Sequence, residues 1–121
     1  MENVFTIMCY VQGTLAANHT FRWTAPFDCT LLHVSANNST ANAGTLIVGD
    51  TDDTDEYLTS SAFGVSDVPA EYDGDDFVDT AGNTHTRYYP RIADGTVVVV
   101  TTTDHGSHMA AAAVVLTFAK G

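Results

Sequence analysis

The chain has no stretch in which apolar residues recur with the helical period of 3.6. Instead, short β-branched and aromatic runs alternate with clusters of Gly, Asn, Asp and Pro across all 121 residues. Even the alanine run Ala110–Ala113 flows directly into "VVLTF", whose β-branched and aromatic residues favour a strand over a helix. Strands are therefore expected at about Val4–Val11, Thr20–Thr24, Thr30–Ala36, Thr45–Val48, Glu56–Leu58, Thr86–Tyr89, Thr96–Thr102 and Ala111–Ala119. Seven or eight short strands in a chain of this length predict an all-β fold of one domain spanning 1–121 with no long helix, a sandwich or barrel, of which an antiparallel β-sandwich is the expected form.

Side-chain alternation orients some of these strands. In "HTFRWT", Phe21 and Trp23 fall on the face opposite Arg22 and are expected to point into the core. "TVVVVTTT" does not alternate, which suits a strand covered on both faces, at the sandwich centre or at a subunit contact. Asp94-Gly95 ahead of it is a turn signal. Between residues 60 and 84 the strand pattern fails, and Gly, Pro and acids surround isolated aromatics. A long acidic loop or interaction arm is expected there, with Phe63, Val65 and Phe77 as the residues that could tie it to the core.

Composition limits the function. With 45% hydrophobic and 16% charged residues the chain can bury a core, and its two cysteines, Cys9 and Cys29, lack metal or redox spacing and read as buried thiols. A net charge of −11, with Arg22, Arg87, Arg91 and Lys120 the only permanently basic side chains, argues against nucleic acid and against anionic membranes as partners. The N-terminal "MENVFTIMCYVQG" lacks the features of a signal peptide, so synthesis in a cytoplasm without export is expected. The sequons at Asn18, Asn37 and Asn38 then read as turn residues, and "GSHM" at Gly106–Met109 reads as a loop between two strands.

Catalytic and metal signatures are weak. "GDTDDTDEYL", Gly49–Leu58, packs five acids into seven positions, but Thr54 and Asp55 stand where an EF-hand needs an oxygen ligand and glycine. Two readings of these acids stand side by side. One is a solvated turn at a strand end, which the spacing favours; the other is a calcium loop formed if Asp50, Asp52 and Asp55 converge, with Asp73, Asp75 and Asp76 as a second set. His19, His33, His85, His105 and His108 are scattered, and His105 and His108 lack a third ligand nearby. No nucleophile, phosphate-loop or dinucleotide pattern occurs, so no catalytic residue, cofactor or metal is assigned and an enzyme is not expected.

Three segments carry a resemblance: "APFDCT" at Ala25–Thr30, "TLIVGDTDDTDEYL" at Thr45–Leu58, and the closing "DGTVVVVTTTDHGSHMAAAAVVLTF". Together they resemble the small β-sandwich head proteins of tailed bacterial and archaeal viruses, the capsid decoration or cement proteins, some of which are jelly rolls. That resemblance implies a jelly-roll-like, non-enzymatic virion component on the capsid exterior. It further implies a homo-oligomer, a trimer rather than a dimer, seated across subunits of the major capsid protein. The Val- and Ala-rich last strands would then suit subunit packing, and the N-terminal segment or the 60–84 region would grip the shell. A different class is a carbohydrate-binding sandwich, a lectin-like module or fibre head, with Trp23, Tyr88 or Tyr89 stacking on a sugar. Because Tyr88 and Tyr89 are adjacent, only one of the two could join such a platform.

Overall fold

A computed structural model describes residues 3–121. Its nine strands are β1 (Val4–Thr14), β2 (His19–Thr24), β3 (Cys29–Asn37), β4 (Thr45–Asp50), β5 (Leu58–Ala62), β6 (Ala70–Tyr72), β7 (Arg91–Ile92), β8 (Val97–Thr103) and β9 (Ala110–Lys120). They form two antiparallel sheets, one in the order β1-β9-β3-β6 with β7 also on β3, the other in the order β2-β8-β4-β5. From β1 to β4 the chain changes sheet at every step, and it changes again from β5 to β6, from β7 to β8 and from β8 to β9. That interleaving of two Greek keys is the jelly-roll topology.

Alternation sends one side of each strand into the core. On β9 Ala112, Val114, Leu116 and Phe118 are buried, and on β8 Val98, Val100 and Thr102 are buried. β3 keeps its parity through a bulge: Leu32 and His33 both lie toward the outside, so that Leu31 and Val34 both stay inside. β8 and β9 sit centrally in their sheets, which explains why the Val run needs no polar alternation. Val99 points away from the core yet is 3% exposed. It lies opposite Gly49, and a Cβ on Gly49 would collide with the carbonyl oxygen of Asp53 and the backbone of Thr54. The acidic turn thus folds back over the outer face of β4 and helps to cover Val99, and glycine is what lets it approach.

Three expectations are corrected. The strand expected at Glu56–Leu58 begins at Leu58 and continues to Ala62, because Glu56 and Tyr57 finish the turn. Thr86–Tyr89 is not a strand: Arg87 has a positive φ of 56°, and pairing resumes only at Arg91. The 60–84 region is not a free loop or arm. It holds the end of β5 and all of β6, buries Phe63, Phe77 and Val78, and lets Tyr72 donate a hydrogen bond to the Ala62 carbonyl at 2.5 Å. Its few apolar residues are spaced irregularly, so no period announced them. Val65, by contrast, is only half-buried.

Candidate functional site

The two acidic clusters resolve as self-capped turns. The Asp50 carboxylate accepts hydrogen bonds from the amides of Asp52 (3.0 Å) and Asp53 (2.8 Å), and the Asp55 amide donates to the Asp53 carboxylate at 3.3 Å. In the second cluster the Asp75 amide donates to the Asp73 carboxylate, the Asp73 amide to Asp76, and the Arg87 amide to Asp75 at 2.9 Å. Among the described residues no three His, Cys, Asp or Glu side chains are placed to hold a metal ion. Crowding shows in the first turn: the hydrogen bond with Asp53, then burial, raise the Asp55 carboxyl above its ordinary range, and burial followed by repulsion from Asp53 raises Glu56. These acids shape the turn and keep it wet.

Three histidines face carboxylates: His33 with Glu71 at 3.4 Å, His85 with Asp79 at 2.6 Å and His108 with Asp104 at 2.6 Å. Asp104 organises the loop between β8 and β9, where it also accepts the amides of His105 and Met109 at 2.9 and 2.8 Å. His105 does not join His108 on a shared ligand; its Nδ1 accepts the Ser107 amide, so the two histidines serve the loop itself. At the same end of the sandwich, buried Asn38 joins the neighbouring loops, donating to the carbonyls of Asn42 and Gly64 and accepting from the Thr40 amide. The thiols are buried and free, and burial pushes Cys9 up to about 11, away from the reactive thiolate.

An open, apolar cleft lies between the edge strands β1 and β2; a second opening of similar volume, at Asp28, Arg91, Ile92 and Ala93, is more polar. The apolar cleft encloses about 190 Å³ between Ile7, Met8 and Cys9 on one wall and Phe21, Arg22 and Trp23 on the other, with Val98, Val100, Leu116 and Phe118 as its floor. Trp23 lies 4.9 Å from Phe118 and 5.7 Å from Phe5, centroid to centroid, and Phe27 meets Phe5 edge-on at 5.4 Å. Phe21 and Trp23 therefore do point inward as expected, but they remain half-buried because the sandwich gapes there. The opposite side is closed. Phe77 is fully buried, the Val78 amide donates to the Tyr57 carbonyl, and Tyr72 bridges to β5.

Charge follows the same division. Residues 3–27 and 95–121, which build β1, β2, β8 and β9, contain Arg22, Lys120 and a single acid, Asp104; every other described acid lies within 28–94. The face that β1 and β9 turn to the outside carries Val4, Thr6, Met8 and Tyr10 opposite Ala119, Thr117, Val115 and Ala113. Met8 is 68% exposed and Tyr10 52%.

The aromatics proposed for sugar stacking do not converge. Trp23 lies in the cleft, whereas Tyr88 packs near His85 and Tyr89 lies against Gly74 on the closed side. Neither the cleft nor the charge division was named from the sequence. The signal for both was present in the acid-poor stretches toward each end of the chain, which the jelly-roll topology brings side by side. No family model, curated protein or solved structure matches the chain.

Proposed function

We propose that the chain is a non-enzymatic virion structural protein that decorates the outside of an icosahedral capsid, bound as a homo-oligomer, a trimer in the favoured form, across subunits of the major capsid protein. The observation that carries this reading is the division of the surface. One side is poor in acids, largely apolar and open, suited to contact with protein, while acid-rich turns lie elsewhere, suited to an outward-facing, solvated surface. The jelly-roll topology and the sequence segments that resemble decoration proteins agree with it. A fold of this kind serves many functions, so the surface rather than the topology bears the weight. Repetition around a symmetry axis would multiply a weak contact into firm attachment.

The test is quantitative mass spectrometry of purified particles from the virus that encodes the chain, together with addition of the purified protein to shells that lack it. A copy number on the scale of the shell protein and saturable binding to intact shells are expected. A handful of copies would move the protein to a tail or fibre, and failure to bind shells at any salt concentration would overturn the reading.

A further inference from the structure

Residues Val4–Val11 of β1 run in unbroken register along β9, and among the described residues the other edge of the strand pairs with nothing. Folded monomers guard such an edge with charge, proline, a bulge or a covering segment, because its free N–H and C=O groups are a template for another strand. β1 contains no charged residue and no proline, and its irregularity comes only after Val11, near Gly13 with its positive φ of 74°. The side chains flanking this edge are apolar on both faces. Met8 and Tyr10 project outward, and Ile7 and Cys9 line the cleft. At about 190 Å³ the cleft is of the size that admits one aromatic ring or thioether group.

We infer that a second copy of this chain docks here, along the free edge of β1, with the uncharged outer face behind that edge and the cleft beside it completing the contact. Charge selects this occupant. Two chains of net charge −11 repel one another wherever their 28–94 surfaces approach. The β1–β2 side, whose described residues carry Arg22 and Lys120 against Asp104, can meet its own counterpart with little of that repulsion. A strongly basic partner would be drawn to the acidic turns instead. The free edge also complements itself, since an unpaired strand supplies both the donors and the acceptors that another unpaired strand needs.

This inference rests on the proposed function for the oligomer and draws on the same open side of the molecule, assigning its β1 edge and cleft to a second copy, but the two readings fail separately. Self-association through β1 without shell binding would sink the functional reading alone; shell binding by a chain that is monomeric both free and bound would sink this one. The experiment is sedimentation equilibrium of the full chain over a wide concentration range at physiological salt, on the unaltered protein and on Met8→Glu, Tyr10→Glu and Val68→Glu. Reversible association is expected for the unaltered protein, weakened about tenfold or more by each β1 variant. Val68 is as exposed as Met8, at 67%, but lies in the loop between β5 and β6, so Val68→Glu is expected to leave association unchanged. Circular dichroism and thermal melting report whether each variant is folded. Concentration-dependent amide exchange on the unaltered protein supplies a readout that needs no variant, with protection expected to grow along β1. A chain that stays monomeric throughout, or an oligomer whose β1 amides gain no protection, overturns the inference.

Discussion

Asp104 ties together the loop between β8 and β9. Its side chain is 8% exposed, and its carboxylate gathers His108 and the amides of His105 and Met109 into one loop, while its own amide donates to Asn18. Burial pulls this carboxyl upward, but the hydrogen bonds from His108, Met109 and His105 outweigh it and hold it below the usual carboxylate range. Asp79 is lowered as well, first by its hydrogen bond with His85 and then by the Asn83 amide. A carboxyl lowered in the folded state contributes stability that is complete above the unfolded value of about 3.9 and disappears as pH falls through the folded value. Asp55 and Glu56 are shifted the other way, so their protonation as pH falls relieves strain between like charges. Asp104→Ala is expected to cost about 2 kcal/mol near neutrality, because the amide of buried Met109 and two further donors lose a charged acceptor. Asp104→Asn should cost less, since it can keep an acceptor oxygen, and should flatten the loss of stability below about pH 4. Urea midpoints across pH check both, and a variant as acid-labile as the unaltered protein would deny Asp104 this role.

At the scale of elements, the strands that the sequence made legible are those whose residues agree with their setting. β2, β3, β4, β8 and β9 carry runs of Val, Thr, Leu and aromatics between turn residues, and all five lie where that pattern places them within one or two residues. β6 and β7 escaped notice because they have three and two residues, too short for any period to show. They are held by what surrounds them: β6 by β3 and the Tyr72 hydrogen bond, β7 by the first residues of β3. Between them, residues 73–90 carry one fully buried aromatic, Phe77, which pins an otherwise polar segment onto the closed side of the sandwich. Phe77→Ala is expected to cost about 3–5 kcal/mol, within the range for removing a buried aromatic. If the segment closes that side, the variant should also become sensitive to protease cleavage within 73–90 under conditions where the unaltered chain resists. Cleavage there in the unaltered, folded protein at the same rate would show that Phe77 does not anchor it.

On the scale of the whole molecule, the topology converts a linear charge pattern into a polar object. The acid-poor ends of the chain supply β1, β2, β8 and β9, which the jelly roll places at the same side of both sheets, and the acid-rich middle supplies the remaining strands and turns. The sequence alone could give the total of −11 but not its direction, because direction depends on which strands become neighbours. That asymmetry governs how such a protein would reach a surface already crowded with its own copies. At about 0.01 M salt the screening length is about 30 Å, wider than the separation between adjacent small domains, and at about 0.15 M it is about 8 Å. If the chain decorates a shell as proposed, repulsion among the acidic turns of adjacent copies should therefore limit occupancy at low salt and fade as salt rises, while an apolar contact is little weakened by screening. Saturating occupancy is expected to increase between these two salt concentrations, measured by the ratio of this chain to shell protein in pelleted particles. Magnesium should not surpass sodium at equal ionic strength, since the carboxylates of the turns are engaged by backbone amides rather than gathered around a cation site. Occupancy that falls as salt rises would mean that the acidic turns themselves grip the shell, and would reverse the orientation in which the protein sits.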